Sequence, residues 1–478
     1  MLKNHIEKYL REYFEHDPTQ GQDHLLKYLP DFLLRPDKDE ILLLKGYAGT
    51  GKTSAMKAVV RTLSEFKLKS VLLAPTGRAA KVLSNLTGKQ AYTIHKKIYR
   101  QKSAKDGFGT FVLDRNLHTD TFFIVDEASM ISNTSLDSSI FGSGKLLEDL
   151  LYFVYEGNRC KLILIGDTAQ LPPIGKELSP ALERKELEYH NYDVQEFFFN
   201  EVVRQSSDSG ILWNATLIRS EIENNSAKIP KLKLSDFSDI NYITGTDFLE
   251  TLSSSYDKFG LEESVVVVRS NKQANRYNSG IRNQILWREE EISVGDLMMV
   301  VKNNYFWMAD NELIDFIANG DIFEILKIHT YTERYGLRFA DIRMRLLDYG
   351  DTELDVKIML DTLTMESASM PSEKNKELYF SVAEDYSDLK NKKKKFEAIR
   401  KDEYFNALQV KFSYAITCHK AQGGQWKNVF IDPGYFIQEM MNSEYLRWLY
   451  TAFTRATANL YLVNFNKLFL DEDEINQM

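Results

Sequence analysis

The chain has 478 residues, of which 43% are hydrophobic and 27% charged, and its formal net charge is −9. This length predicts about two to four domains, and no apolar run approaches the roughly 20 residues of a membrane span, so no membrane role is expected. The acidic balance argues against a protein that coats nucleic acid, but it leaves room for one positive groove.

The N-terminal segment MLKNHIEKYLREYFEHDP predicts an amphipathic helix. A signal peptide is not expected there, because charged residues interrupt each apolar pair. The two cysteines, Cys160 and Cys418, form no metal-ligand spacing. We therefore expect a protein of the reducing cytoplasm.

A phosphate-binding loop is the first motif with a defined chemistry. Four apolar residues from Ile41 lead into GYAGTGKTS and then into a helix-prone segment. In a strand, loop and helix of this kind, backbone N–H groups close around phosphates, while Lys52 neutralises them and the Thr53 hydroxyl ligates Mg²⁺. The motif predicts a nucleotide site formed by Gly46, Ala48, Gly49, Thr50, Gly51, Lys52, Thr53 and Ser54.

Three later segments predict strands of one parallel α/β sheet, each followed by polar residues. They are SVLLAP, TFFIVDE and KLILIGD. Because ligands gather at the carboxyl ends of such strands, Asp126 is expected to hold the Mg²⁺ water shell and Glu127 to deprotonate an attacking water. Gln170 lies just beyond the third strand. This arrangement predicts ATP hydrolysis rather than transfer to an acceptor.

A second α/β half begins near residue 200. Its predicted strands and helices include VVVVRSNKQANRYNSGIR, SYAITCHKAQGGQWKNVFI and YLRWLYTAFTRATANLYLVNF, and the sequence has no second phosphate loop. One nucleotide site facing two halves predicts that ATP lies in the cleft between them and that an arginine reaches across. Arg204 and Arg455 are the candidates.

The order of these motifs resembles that of superfamily 1 DNA helicases of the RecD-like branch, close to the Dda type. The resemblance spans nearly the whole chain and rests on DPTQGQ, GYAGTGKTS, APTGRAAKVL, YTIHKKI, VDEASM, GDTAQLPP, EVVRQ, SYAITCHKAQGGQW and YTAFTRA. GDTAQLPP, HKAQG and FTRA in this order are far more specific than the phosphate loop alone.

The resemblance implies an α/β fold with two tandem RecA-like parallel-sheet domains. The first would span residues 1–195, with an inserted pin hairpin at about 96–119. The second would span 196–478, with an SH3-like β-barrel and its helical extension inserted at about 322–405. The helical part would run roughly from Pro371 to Tyr404.

The resemblance also assigns site residues. Gln22 would contact the adenine base, Gly423 the nucleotide, and Gln170, Arg204 and Arg455 the γ-phosphate, with Arg455 as the arginine finger. The expected contacts with single-stranded DNA are Pro75, Thr76, Arg78, Thr93, His95, Asn271, Thr417, His419 and Lys420.

The pin is expected to have its tip at Gly107-Phe108-Gly109, between β-prone flanks. Phe108 or Phe111 would then supply the apolar wedge that splits a duplex, and a surface hairpin without that role is the alternative. The run Lys392 to Lys395 is interpreted as a solvated helix face rather than a DNA patch. Trp307 and Trp426 are interpreted as core residues.

The activity that the resemblance implies is 5′-to-3′ movement on DNA with ATP and Mg²⁺ as cofactors. Single-stranded DNA and DNA forks would be the partners, and the chain would act as a monomer. Two alternatives remain open at this point. One is a related enzyme that acts on RNA, and the other is a nucleic-acid-stimulated ATPase that remodels complexes without unwinding.

Overall fold

A computed structural model describes residues 2–14, 16–35, 39–101, 111–133, 142–201, 209–226, 228–308, 316–350 and 352–471. None of the helices in these ranges is long and apolar enough to cross a membrane. Two parallel sheets and one closed barrel organise the chain. The predicted fold class is therefore confirmed.

The first half contains eight strands and seven helices within the described ranges. The strands are β1 (Glu40–Gly46), β2 (Lys69–Ala74), β3 (Ala91–Thr93), β4 (Tyr99–Gln101), β5 (Phe111–Leu113), β6 (Thr121–Val125), β7 (Lys161–Gly166) and β8 (Asp193–Phe199). The helices are α1 (Leu2–Tyr13), α2 (Gln20–Leu34), α3 (Lys52–Glu65), α4 (Gly77–Thr87), α5 (Ile94–Ile98), α6 (Leu146–Glu156) and α7 (Arg184–Tyr189).

Six of these strands form a sheet in the order β3-β2-β6-β7-β1-β8, and every neighbouring pair is parallel. The central strands are continuous apolar runs, as expected for a sheet covered on both faces. Helix α1 is amphipathic as predicted, and it buries Ile6 and Leu10. Strand β8 extends this sheet to Phe199, a few residues past the predicted boundary at 195.

The second half begins with α8 (Gly210–Glu223), β9 (Ile240–Ile243), α9 (Gly245–Phe259), β10 (Ser264–Val268), α10 (Asn271–Gln284) and β11 (Leu297–Val300). It continues with β12 (Ile322–Arg334), β13 (Leu337–Leu346), β14 (Thr352–Met359), α11 (Ser372–Asp385), α12 (Lys392–Arg400) and β15 (Leu408–Phe412). The last elements are β16 (Ala415–Thr417), α13 (Cys418–Ala421), β17 (Trp426–Asp432), α14 (Ser443–Phe453) and β18 (Ala456–Val463). Short 3₁₀ turns connect several of these elements.

The second sheet has the order β16-β10-β17-β18-β9 and is parallel throughout. Strands β11 to β15 close into a barrel, whose interior is filled by apolar residues such as Phe323 and Ile342. Strands β11 and β15 belong to this barrel although they lie outside the predicted range 322–405. Helices α11 and α12 lie in the stretch from Pro371 to Tyr404 that the sequence predicted to be helical.

The predicted hairpin is present as the antiparallel pair β4 and β5, in which Tyr99 pairs with Leu113 and Gln101 with Phe111. Its predicted tip, Gly107-Phe108-Gly109, lies outside the described residues. The hairpin follows α5 and precedes β6, so it is inserted in the chain between the sheet strands β3 and β6.

Candidate functional site

The phosphate loop joins β1 to α3 with the backbone that its glycines allow. Gly49 and Gly51 have φ values of 76° and 84°, in the left-handed region that favours glycine. Lys52, the first residue of α3, donates from Nζ to the carbonyls of Gly46 and Tyr47 at 2.8 and 2.7 Å. Thr53 and Ser54 follow in the first turn of α3, where the N-terminal N–H groups suit phosphate oxygens.

Gly46 and Gln22 make close contacts that position the phosphate loop. A Cβ atom at Gly46 would lie 2.9 Å from the Phe199 carbonyl oxygen and from Thr50 Oγ1, so only glycine fits. Gln22 is buried, donates from Nε2 to the Thr50 carbonyl at 2.9 Å, and accepts from the Thr19 N–H at 2.9 Å. The structure therefore connects Gln22 to the loop, and its contact with an adenine base stays a prediction.

Asp126 and Glu127 follow β6 directly, at the carboxyl edge of the first sheet. Burial, and after it the neighbouring Glu127 carboxylate, raise the pKa of Asp126 to about 7. Glu127 has a φ of 54°, which is uncommon for a residue with a side chain. This backbone conformation begins a short 3₁₀ turn at Ala128.

Gln170 connects the two halves of the molecule. In the amide orientation that satisfies both neighbours, its nitrogen lies 3.3 Å from Glu127 Oε2 and its oxygen 3.1 Å from Arg455 Nη2. The Arg455 side chain is buried and donates from Nε to the Thr451 carbonyl at 3.0 Å and from Nη1 to the Gly424 carbonyl at 3.2 Å. Three of the predicted catalytic residues thus form one chain of contacts.

A second connection between the halves runs through Tyr450 on α14, a residue that the sequence analysis missed. The Tyr450 hydroxyl accepts from the Ala48 N–H at 2.7 Å and donates to Asp167 Oδ2 at 2.8 Å. Lys52 Nζ lies 3.8 Å from the same Asp167 oxygen. The buried Tyr450 hydroxyl of the second half therefore connects the phosphate loop to Asp167, both of which belong to the first half.

Further contacts between the halves gather on the segment after β7. Arg447 donates from Nη1 to the carbonyls of Thr168 and Gln170, and Leu171 N–H donates to Thr451 Oγ1 at 2.8 Å. Gln422 donates from Nε2 to the Leu171 carbonyl at 2.6 Å. Helix α14 and Gln422 thus contact this segment through several hydrogen bonds.

We predict that Tyr450→Phe destabilises the protein. The change leaves the Ala48 N–H without its hydrogen-bond acceptor and removes one hydrogen bond from the buried Asp167 carboxylate, which costs about 1–3 kcal/mol. Urea unfolding would measure the change in the free energy of unfolding. Tyr445→Phe is the matched control, because Tyr445 is also buried on α14 and its hydroxyl has no partner among the described residues. Equal effects of the two variants would contradict the importance of the Tyr450 hydrogen bonds.

Several predicted DNA contacts lie where helices begin at the carboxyl edges of the two sheets. Thr76 caps α4 by accepting from the Ala79 N–H at 3.2 Å, and Thr93 caps α5 by accepting from the Lys96 N–H at 3.1 Å. Asn271 is the first residue of α10, and Thr417 precedes α13. Pro75 directly follows β2. Backbone N–H groups at such helix starts are suited to phosphate oxygens.

Arg78 and Gly423 lie at a contact between the halves. The Arg78 guanidinium lies 4.0 Å from the ring centre of Trp426, which is buried as predicted. A Cβ atom at Gly423 would lie 2.9 Å from Ala79 Cβ and 3.2 Å from Thr76 Oγ1. The surroundings of Gly423 are therefore those of the start of α4, and its contact with the nucleotide stays a prediction.

The basic residues that the sequence predicts to contact DNA are partly desolvated. Burial lowers the pKa of His95 to about 4, so its imidazole is neutral near pH 7, and burial also lowers the pKa of His419. Burial lowers the pKa of Lys420 to about 8, and its Nζ donates to Asn319 Oδ1. The contacts of these three residues with DNA stay predictions.

Phe111 is the one wedge candidate within the described ranges, and its surroundings correct the prediction. It is the first residue of β5, is 4% exposed, and packs with ring centres 4.6 Å from Tyr305 and 6.2 Å from Phe316. A side chain buried in this way packs the hairpin against the second half and is not an exposed wedge. Phe108 and Arg204 lie outside the described residues.

Thr53 and Asp126 are the residues that suit a magnesium ion. In the described part of the chain, no group of three or more His, Cys, Asp or Glu residues could hold a metal alone. One hydroxyl and one carboxylate fit an ion that takes its remaining ligands from phosphates and water, which is how Mg²⁺ is commonly bound.

Comparisons with known proteins add to this geometry. An AAA domain model matches residues 33–224, and a UvrD-like helicase C-terminal domain model matches residues 412–463. The chain is similar to the ATP-dependent DNA helicase dda of Enterobacteria phage T4, with 25% identity over 491 residues that cover 94% of this chain and 99% of the relative. It is also similar to the ATP-dependent RecD2 DNA helicase of Deinococcus radiodurans, with 34% identity over 138 residues, or 28% of this chain and 16% of the relative. The structure of the chain can also be aligned with the crystal structure of Pif1 helicase from Bacteroides in complex with ADP-AlF3 and ssDNA. The alignment covers 97% of each chain at 15% sequence identity and has a TM-score of 0.47.

Proposed function

We infer that this chain, which is a superfamily 1 helicase of the Dda and RecD type, couples ATP hydrolysis between its two α/β halves to movement along single-stranded DNA. It is an ATP-dependent DNA helicase. The observation that carries the coupling proposal is the contact of Gln170 with Glu127 of the first half and Arg455 of the second. One side chain thus connects the proposed base to the proposed arginine finger.

The proposed reaction assigns a role to each residue of this group. Glu127 takes a proton from a water molecule while the oxygen of that water attacks the γ-phosphorus. The bond between the γ-phosphorus and the β–γ bridging oxygen breaks, which leaves ADP and phosphate. Lys52 and Arg455 stabilise the negative charge on the transferred group, and Gln170 aligns Glu127 with Arg455. Thr53 and Asp126 would hold Mg²⁺, which would neutralise charge on the phosphates.

The same contacts explain how hydrolysis would move the halves. Arg455 and the α14 residues Arg447 and Tyr450 contact the first half in this structure, and opening of the halves would break these contacts. A γ-phosphate bound by both Lys52 and Arg455 favours that closed arrangement, and its loss removes the preference. Alternating closure and opening would then shift the grip on a bound strand, which is a hinge-type mechanism.

The strand would lie across the carboxyl edges of both sheets. This proposal is supported by the starts of α4, α5, α10 and α13, which present Thr76, Thr93, Asn271 and Thr417 at those edges. Contacts from hydroxyls and backbone N–H groups to phosphates tolerate any base sequence. His419 and Lys420 would add donors at the second half.

The proposed polarity is 5′-to-3′, and the experiment that tests it uses short duplexes with a single-stranded tail at one end. The protein is expected to separate a DNA duplex with a 5′ tail faster than the same duplex with a 3′ tail or than the matching RNA duplex. Preference for the 3′ tail would refute the polarity, and preference for RNA would refute the substrate. ATP consumption without strand separation would indicate a remodelling ATPase.

We predict that Phe111→Ala weakens duplex unwinding and spares ATP hydrolysis stimulated by single-stranded DNA. The change removes the ring that packs the hairpin against Tyr305 and Phe316, at a cost of about 3–5 kcal/mol typical of a buried phenylalanine. Strand separation and ATP turnover would be measured on the same preparation. Phe111→Leu, which keeps an apolar side chain, is the control. Equal losses of both activities would mean that the hairpin has only a structural role.

A further inference from the structure

A groove lies between the barrel and its helical extension, away from the nucleotide site. Its volume is about 450 Å³, and it is lined by the segment after β11, by α11 and by the chain that leads into β15. Five aromatic side chains line it, including Tyr305, Tyr379, Phe380 and Phe405. The volume is in the range of typical small-ligand sites.

The charged residues that line the groove are all basic. They are Lys302, Lys376 and Arg400, and the lining contains neither Asp nor Glu. Among the described residues, neither Lys376 nor Arg400 forms an ion pair. Burial lowers the pKa of Arg400, but a guanidinium keeps its charge at any physiological pH. In a protein of net charge −9, such a groove selects for an anionic ligand.

The aromatic side chains offer ring faces to a flat ligand. Phe380 is 65% exposed, although it lies on a helix whose apolar residues Leu378 and Val382 are buried. Tyr379 lies beside it, with ring centres 5.6 Å from Phe380 and 5.9 Å from Phe405. Exposed aromatic rings next to unpaired cations are the combination that binds unstacked nucleobases.

Two amide side chains in the groove lining, Asn375 and Gln409, are held by hydrogen bonds within the protein. Asn375 donates from Nδ2 to the Met370 carbonyl at 2.8 Å, and Gln409 donates to Asn375 Oδ1 at 3.1 Å while accepting from the Met370 N–H at 2.9 Å. These amides are therefore occupied by structural hydrogen bonds. Lys376, Arg400 and the aromatic faces are the groups left to bind a ligand.

The groove also lies between two parts of the proposed DNA path. Its Tyr305 packs against Phe111 of the hairpin strand β5. Its Asn303 accepts at Oδ1 from the Asn319 N–H at 2.7 Å, and Asn319 in turn accepts from Lys420. The groove is thus continuous with both the hairpin and a proposed strand contact.

We propose that this groove binds a nucleobase of single-stranded DNA, which stacks on Tyr379 and Phe380 while Lys376 and Arg400 contact the adjacent phosphates. The proposal rests on the proposed function, since it adds a contact for DNA at the fork. Either the tailed strand or the displaced strand can supply this base. The site tolerates any sequence because every base has a ring face.

Photochemical crosslinking of the full chain to forked DNA tests this proposal directly. The forks carry 5-iodo-2′-deoxyuridine either in the tailed strand or in the displaced strand next to the junction, and crosslinked peptides are mapped by mass spectrometry. A crosslink to Tyr379 or Phe380 from one of the two forks supports the proposal and identifies the strand. Crosslinks confined to peptides outside the groove with both forks would overturn it.

Binding by variants gives an independent test. The double variant Phe380→Ala and Lys376→Gln changes two exposed side chains, so the fold should be retained, which circular dichroism would check. The Kd for forked DNA should rise by about 5-fold or more, and Phe380→Trp should keep wild-type affinity. Tyr152→Ala, on α6, is the matched control, because Tyr152 is 63% exposed. If the double variant binds forked DNA as tightly as the wild type, the proposal for the groove is wrong and the proposed function is unaffected. If the wild type binds no DNA, both the proposal for the groove and the proposed function are wrong.

Discussion

Arg455→Ala is expected to lower kcat for ATP hydrolysis by about 10³-fold or more, the effect attributed to arginine fingers. The Arg455 guanidinium is held by the carbonyls of Thr451 and Gly424, so it is positioned in advance and loses little mobility when it contacts a phosphate. Its Nη2 atom already faces the Gln170 amide oxygen at 3.1 Å. Loss of the guanidinium would therefore remove charge stabilisation and break the connection to Glu127.

Steady-state ATP turnover with saturating single-stranded DNA measures this effect, and binding of a fluorescent ATP analogue shows whether the site still forms. Arg276→Ala is the matched control, since Arg276 is an exposed arginine on α10 of the same half. Arg455→Lys is also expected to be slow, because an ammonium lacks the planar fork of the guanidinium. A kcat for Arg455→Ala within a few-fold of wild type would exclude this residue as the finger.

Glu127→Gln is expected to bind ATP and to hydrolyse it about 10²- to 10⁴-fold more slowly, because an amide takes no proton from water. The amide oxygen of the new residue can still accept from Gln170, so the geometry of the site should persist. Single-turnover hydrolysis measures the chemical step apart from product release. Glu148→Gln is the control, because Glu148 is a surface residue that pairs with Lys145 at 2.8 Å. Near-normal hydrolysis by Glu127→Gln would assign the base to another residue.

The sequence is sufficient to predict the parts of the site that follow strands. Asp126, Glu127 and Gln170 come after apolar runs, and the carboxyl ends of parallel strands meet at one edge of a sheet. Their proximity therefore follows from the strand pattern and the phosphate loop. Arg455 was predicted from its motif, and the structure brings it to Gln170.

The contacts between the halves were not predictable in the same way. Tyr450, Arg447 and Thr451 lie on a helix whose apolar pattern is typical of core packing, and their partners are about 280 or more residues away in the chain. A tyrosine in such a pattern is more often a core residue with a satisfied hydroxyl. Only the tertiary arrangement distinguishes a hydroxyl that reaches another domain.

The barrel and the hairpin illustrate a second limit of prediction from the sequence. Strands β11 and β15 pair antiparallel although more than 100 residues separate them, so no local pattern joins them to the predicted β-rich segment. Phe111 looks like any apolar residue of a hairpin, and its burial depends on Tyr305 and Phe316 from the other half. Packing between distant segments decided both outcomes.

The measurement that tests the central claim most directly is the rate of ATP hydrolysis as a single-stranded oligonucleotide is added. If a nucleotide between the two halves controls their grip on DNA, the rate should rise many-fold and saturate with oligonucleotide concentration, and Arg455→Ala should abolish the rise. A rate that stays the same at every oligonucleotide concentration would contradict the coupling between the nucleotide site and the DNA path.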